Sequence, residues 1–564
     1  MPNELMAQVK AKYHNFIDTV KYIFGKDGLS ARHRKIGING VSSIIFSIVF
    51  LTVIFPIILE SLIQKHSALK KGWFMRKMWR KSTYEFHVYL FNVTNPEEIA
   101  KGDKPTLKEV GPYVYDVWQE KTNIEDHETD DTLTYSVKNT FFFNDEKSRC
   151  LSDDDELTLG HFVSLGIPNY FLITKPHLIP VTTKVVDGIV NNPQSVFVRA
   201  KVKDYLFDGF AVDCSGIDDF LAKSACNDIK ENYVKYQTIK ASDDVYKYSM
   251  WGYLNLTDTY SGKTRIRRGI RNIMEVGDLI EFNDMKNMSV WDDDKCDAFI
   301  GTDGTLFHPF INKRKNIYVT NTFFCRRLTY SYDSEVQFAG LKLFRYTTSL
   351  GTNSQTNPED KCFCLAPDRC HKNGVFEVWK CLSNAYVASN PHFYAADPYF
   401  INSVKGLKPV KEKHLTTIDF DPLTGWPIRT QFRMQYNFAL TKLSKYRLMA
   451  NFPEAMLPVG WIDQVTILPS DFVKKIKYLH VIIKLSRIFS GLIILVGFIL
   501  CCYTVFHEYR LYKIRKAQRA NMRKIISKWR TLAAKQDKKT MGISLRTIKT
   551  LKIMQQAQVP ARIS

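Results

Sequence analysis

Two uncharged apolar runs, one near each end, constrain this chain more than any other feature. The first, "IGINGVSSIIFSIVFLTVIFPIIL", covers residues 36–59 between Lys35 and Glu60. The second, "IFSGLIILVGFILCCYTVF", covers residues 488–506 between Arg487 and His507. About 20 apolar residues cross the hydrocarbon core of a bilayer as a helix. The first run is too long for the apolar part of a signal peptide. It also begins after 35 residues and lacks a small-residue cleavage site, so it reads as an uncleaved signal anchor. Two buried core helices are the alternative, and length and lack of charge disfavour it.

Charge then sets the orientation. The formal net charge is +22. Residues 1–35 carry seven Lys/Arg and three acids, and residues 507–564 carry sixteen and two, so the two tails hold +18 of the total. Positive flanks stay cytoplasmic. The excess is thus a topology signal and an inner-leaflet contact, and no nucleic-acid partner is expected. The expected layout is a cytoplasmic tail (1–35), a membrane helix (36–59), an extracellular or lumenal domain (60–487), a second membrane helix (488–506) and a basic cytoplasmic tail (507–564). The plasma membrane is the expected location, since the C-terminal tail has no acidic dileucine signal. In that tail Ile514, Met522, Ile525, Trp529 and Leu532 stand among many Lys/Arg, a pattern that suits a helix lying on anionic lipid.

Nine cysteines fall in the outer segment, where disulfides are the default. Four are crowded into "CFCLAPDRCHKNGVFEVWKC" (362–381). Closely spaced thiolates also serve zinc, but no histidine repeat supports a metal here and none is expected. Three N-x-[ST] sequons, at Asn92, Asn255 and Asn287, lie on the same side and are glycosylation candidates. Cys501 and Cys502, at the inner end of the second run, are palmitoylation candidates.

Between the runs no linker or repeat interrupts the sequence, so one large domain is expected. Aromatic and β-branched stretches predict strands at 83–93, 113–120, 132–143, 246–256, 415–421 and 432–440. Turn chemistry separates them at 95–98, 109–112, 302–304 and 421–425. Residues about 155–235 differ. "PQSVFVRAKVKDYLFDGF" (193–210) and "GIDDFLAKSACNDIKENY" (216–233) show helical spacing, with Asp213 a candidate cap for the second. A β-rich body with a helical insertion is the expectation.

"FNVTNPEEIAKGDKPTLKEVGPYVYD" (91–116), "CDAFIGTDGTLFHPF" (296–310), the cysteine stretch, "PHFYAADPYF" (391–400) and "GLKPVKEKHLTTIDFDPLTGWPIRTQFRMQYN" (406–437) resemble the class B scavenger receptor family. Within it, "DVWQEKTNIEDHETDDTLTYSVKNTFFFN" and "FAVDCSGIDDFLAKSAC" are most similar to insect sensory neuron membrane proteins. The long N-terminal tail, the long basic C-terminal tail and "SNPHF" in place of "SLPHF" depart from the family pattern. The resemblance implies a barrel-like β body with an apical helical bundle and a lipid tunnel, held by two membrane helices. It implies the pairs Cys296–Cys362, Cys325–Cys381 and Cys364–Cys370. Cys214 and Cys226 are a plausible fourth pair, which leaves Cys150 odd.

Catalytic motifs are missing. There is no G-x-S-x-G elbow and no H-E-x-x-H. "TDTYSGKT" (257–264) imitates a phosphate loop but carries Thr257 where glycine is needed. The acidic stretches 152–156 and 291–296 fit no EF-hand spacing. No enzyme activity and no cofactor are therefore expected. In "NYFLITKPHLIPVTTKVVDGIV" (169–190), apolar Phe171, Leu172 and Leu178 alternate with Lys175, His177 and Lys184. Cationic groups beside apolar surface suit a carboxylate-headed lipid. These six are the ligand-entrance candidates, Lys184 foremost. The expected function is a non-enzymatic receptor or transfer protein for fatty-acid-derived ligands, pheromones among them. It would deliver to the membrane or to an odorant receptor complex. A general scavenger receptor for lipoproteins or carotenoids, and a lysosomal trafficking receptor, are the alternatives.

Overall fold

The structure is a computed structural model and describes residues 31–255, 262–351, 358–364 and 370–537. It falls into two compact units, residues 59–480 and the paired terminal segments up to 58 and from 481.

The larger unit is built on one antiparallel sheet of thirteen strands. From one edge the order is Leu279–Phe282, Thr264–Arg267, Thr132–Phe143, Leu107–His127, Lys81–Val93, Ala455–Ile467, Pro427–Leu440, Thr416–Phe420, Leu341–Thr348, Arg326–Phe338 and Ile317–Asn321. A short hairpin, Val375–Glu377 with Val387–Ser389, pairs onto Pro427–Leu440. The two edges nearly meet. Thr302 bridges to Asp278 beside one edge and to Val319 in the other. The Thr302 amide donates to the Tyr318 carbonyl at 3.1 Å, and the Leu279 amide to the Gly301 carbonyl at 3.0 Å. One residue bridging both edges makes the sheet barrel-like and leaves little edge exposed. Gly301 is required for this: its φ is +79°, and a Cβ there would meet the Tyr318 carbonyl oxygen at 2.1 Å. "TDG", read as a turn, is thus part of the closing segment.

The sequence expectations for 83–93, 132–143, 415–421 and 432–440 fall on strands. Others need correction. Residues 109–112 do not end a strand; Leu107–His127 runs through them, and the register slips opposite Val88–Leu90. The stretch 193–210 is not a helix. Phe197–Lys201 is a strand paired with Glu156–Gly160, followed by a single wide turn at Asp204–Asp208. Buried Val196, Phe197 and Ala200 imitate helical spacing, but cross-strand pairing decides the backbone. The stretch 246–256 is a strand only to Tyr248, then a 3₁₀ turn at Gly252–Asn255. The helix after Gly216 starts at Phe220 and is capped by Asp219, whose carboxylate accepts from the Leu221 and Ala222 amides at 2.9 and 3.0 Å. Asp213 instead accepts from the Ser215 amide in the preceding turn.

Four disulfides join Cys214–Cys226, Cys296–Cys362, Cys325–Cys381 and Cys364–Cys370. Cys150 is free and exposed. Asp293, Cys296 and Cys362 are grouped closely enough for a metal, but the disulfide takes both thiolates a metal would need. Of the sequons, Asn287 is exposed and Asn92 is half-buried with its side-chain carbonyl accepting from the Thr158 amide at 2.8 Å. The side chain of Asn255, and most of the 257–264 stretch, lie outside the described residues.

In the smaller unit two antiparallel helical segments pack through small residues. A Cβ on Gly40 would meet the Gly497 carbonyl oxygen at 2.7 Å and Cys501 Sγ at 2.9 Å. The Ser47 hydroxyl donates to the Ser490 carbonyl at 3.3 Å. Such close approach holds helices together in lipid, where no hydrophobic drive operates between them. The outward residues, among them Ile45, Phe46, Leu492 and Phe498, are large, apolar and exposed, as a lipid-facing surface must be. Both helices, His33–Ser67 and the one beginning at Ser470, are long and apolar enough to cross a membrane. Cys501 lies in the helix–helix contact, and Cys502 is exposed. The helix beginning at Ser470 continues to Asp537, with Ile514, Met522, Ile525 and Trp529 exposed along it.

Two buried histidines make acid stability measurable. His161 is pushed down to about 4 by burial, and His414 to about 3 by burial and then by the stacked His392 ring 4.3 Å away. A histidine held neutral in the fold takes up its proton only on unfolding, so its penalty is absent above pH 6.5 and grows as pH falls. At pH 5 each costs about 2 kcal/mol. His371 acts oppositely: burial lowers its pKa, but the hydrogen bond to Glu377 outweighs that and raises it. His414→Asn, which keeps an acceptor for the Val410 amide, should shrink the drop in Tm between pH 7 and pH 5. An unchanged drop would show that His414 is charged in the fold.

Candidate lipid-binding site

Three helices and adjoining loops cover one region of the barrel. The first, Phe162–Thr174, is apolar on nearly every side. His161 caps it, its Nδ1 accepting from the Ser164 amide at 3.3 Å. The Asn169 side-chain amide donates to the Ala439 carbonyl at 3.0 Å, and the Tyr446 hydroxyl to the Ser164 carbonyl at 3.0 Å, which pins this helix to the barrel. Pro176 ends the helical register, and a 3₁₀ turn, Pro176–Val181, leads into the second helix, Thr182–Ile189. That helix packs on the third, Phe220–Asn232, which the Cys214–Cys226 bond ties down.

These elements enclose a cavity of about 410 Å³, within the size range of small-molecule sites. The first helix gives it Phe162, Ile167, Tyr170 and Phe171, and the third gives Leu221, Ala225, Asp228 and Ile229. Tyr386 and Phe438, packed ring to ring at 4.8 Å, bring the barrel's own surface to the cavity. Lys175 lines it while remaining exposed, so it stands at the rim. It makes no ion pair among the described residues. Asp228, also on the wall, is engaged: the Tyr236 hydroxyl donates to it at 2.5 Å and the Asn232 side-chain amide at 3.1 Å. Burial, then that hydrogen bond, push the Tyr236 phenol well above its usual range, and burial does the same to Tyr248. Both therefore stay neutral hydroxyls. The site pairs a mostly apolar wall with one unpaired cation at its rim and neutral phenols on its side, which suits a ligand with an apolar body and one polar end.

Of the six entrance candidates, Phe171, Lys175 and Leu178 line the cavity. Leu172 is half-buried against the main core. His177 and Lys184 are exposed and do not line it. The sequence reading missed the wall from the third helix, although Leu221, Ala225 and Ile229 follow one another four apart, a spacing that places them on one face. Tyr386 and Phe438 had no local signal, since only the tertiary fold brings them here. The acidic stretches serve the protein itself: Asp154 pairs with Lys201 and Lys203 at 3.1 and 2.9 Å, and Asp293 caps a short helix.

A match to the CD36 family runs over residues 38–507. Sensory neuron membrane protein 1 of Apis mellifera is 37% identical over 446 residues, covering 79% of this chain and 85% of that protein. The protein of the same name from Ostrinia furnacalis is 35% identical over 469 residues, covering 82% and 88%. That from Manduca sexta is 35% identical over 450 residues, covering 79% and 85%. With its two terminal apolar helices and its barrel-like β-rich body, this chain is a membrane protein that belongs to the CD36 family.

Proposed function

We propose that this protein is a non-enzymatic receptor for lipid ligands, and that it captures them in the cavity under the helical cap. The cavity carries the reading: it is apolar on most of its wall and has an unpaired lysine at its rim. Its relatives' names place them in sensory neurons, which supports fatty-acid-derived ligands of chemosensory cells, pheromones among them. The ligand passes through the barrel interior and leaves, chemically unchanged, to the membrane or to an odorant receptor complex. The plasma membrane is its site of action, with residues 60–487 outside, the two apolar runs spanning, and both tails in the cytosol. That orientation follows from the +18 charge of the tails.

Lys175→Glu tests the rim. Replacing an attractive charge with a repulsive one should weaken long-chain fatty acids by about tenfold or more, and neutral esters little. Lys184→Glu, off the cavity wall, should change neither by more than about twofold. Titration of the full-length protein in detergent with a fluorescent fatty acid and its methyl ester reads both. An equal loss for acid and ester would make Lys175 structural. A selective loss from Lys184→Glu alone would move the entrance to that helix.

A further inference from the structure

At the far end of the helix pair from Glu60, three metal-ligating side chains from the two termini come together. His33 precedes the first apolar run by three residues, and His507 and Glu508 directly follow the second. His33 Nδ1 lies 3.5 Å from a Glu508 carboxylate oxygen. The His33 and His507 rings stack with centroids 3.9 Å apart and planes 28° from parallel. One ligand atom from each of the three lies within 4.8 Å of the others. Glu508 is fully buried, and His33 is 15% exposed. His507 Nδ1 is buried with no hydrogen-bond partner among the described residues. One turn into the membrane, Thr504 packs on Gly37 and fixes the helices at this level.

The tail that follows carries sixteen Lys/Arg and only two acids, Glu508 and Asp537. One of those two, Glu508, is thus buried beside His33 and His507. The His33–Glu508 contact leaves the buried Nδ1 of His507 without a hydrogen-bond partner among the described residues. A divalent cation engages all three groups once the two rings turn out of their stack, so that their in-plane lone pairs converge on it. Two imidazole nitrogens and one carboxylate suit Zn²⁺, whereas Mg²⁺ and Ca²⁺ call for oxygen ligands. We propose that His33, His507 and Glu508 form a zinc site that clamps the two membrane helices together at their terminal ends.

The test uses the full-length protein without a polyhistidine tag, stripped with chelator in detergent, and Zn²⁺ alone as probe. Elemental analysis after dialysis should find one zinc per chain, and Tm should rise on adding it. His33→Ala and His507→Ala should each weaken zinc binding at least about tenfold, while cap-cavity ligand binding stays unchanged and so reports an intact fold. The Cys501→Ser/Cys502→Ser double variant should keep the zinc. No zinc above background would overturn the site. So would zinc that survives both histidine substitutions, or zinc that is lost with the cysteines.

Discussion

Ala225→Trp is expected to abolish lipid binding while the protein still folds and reaches the cell surface. Ala225 is half-buried on the third cap helix and lines the cavity. An indole there would occupy the space between this helix and Phe162–Thr174, without displacing the buried contacts of Ala222 and Cys226 on the helix's packed face. Excluding the ligand's apolar body should cost on the order of 100-fold in affinity or more, about 2.7 kcal/mol. Fatty acids and neutral esters should lose alike, because the block is steric. That outcome separates it from Lys175→Glu, where only the acid suffers. Ligand binding that persists in a well-folded Ala225→Trp chain would place the site elsewhere.

The second large effect concerns the disulfides. Cys325 and Cys381 close a segment with a sequence separation of 56 residues, and Cys364–Cys370 one of 6. In the chain-entropy picture the longer bridge stabilises by about 4 kcal/mol and the shorter by about 2 kcal/mol. The longer one also ties strands to loops: Cys325 directly precedes the strand Arg326–Phe338, and Cys381 lies in the short helix Trp379–Leu382. Paired serine substitution at Cys325 and Cys381 should lower Tm sharply and reduce surface display. The same change at Cys364 and Cys370 should be milder. Thermal unfolding of the two variants, side by side, checks the order. The reverse ranking would mean that loop closure does not govern their contributions.

Much of the body was legible because its strands carry their own pattern. Thr132–Phe143 and Lys81–Val93 are rich in aromatic and β-branched residues, so local preference and the fold agree. Phe197–Lys201 was not legible: five residues hold too little pattern, and pairing with Glu156–Gly160 sets its backbone. The barrel closure at Thr302 could not be read either, since it joins three segments through single residues. In the cap, Lys175 of the candidate stretch lines the cavity, whereas Lys184, the foremost candidate, does not. Pro176 and Pro180 break the helix after Thr174, so positions on either side do not share one face. Lys175 therefore reaches the cavity rim while His177 and Lys184 do not. The two membrane helices were plain from their uncharged length. Their contact through Gly40 and Gly497 adds what hydropathy alone cannot supply.

The cavity's role is tested most directly by covalent labelling. Full-length protein in lipid nanodiscs is irradiated with a photoreactive long-chain fatty acid, and the labelled peptides are sequenced. Label is expected in the stretches 162–178 and 221–229, displaced by excess unlabelled fatty acid and lost in Ala225→Trp. Label confined to other parts of the barrel or to the membrane helices, or label that competitor fails to displace, would contradict capture of lipid under the cap.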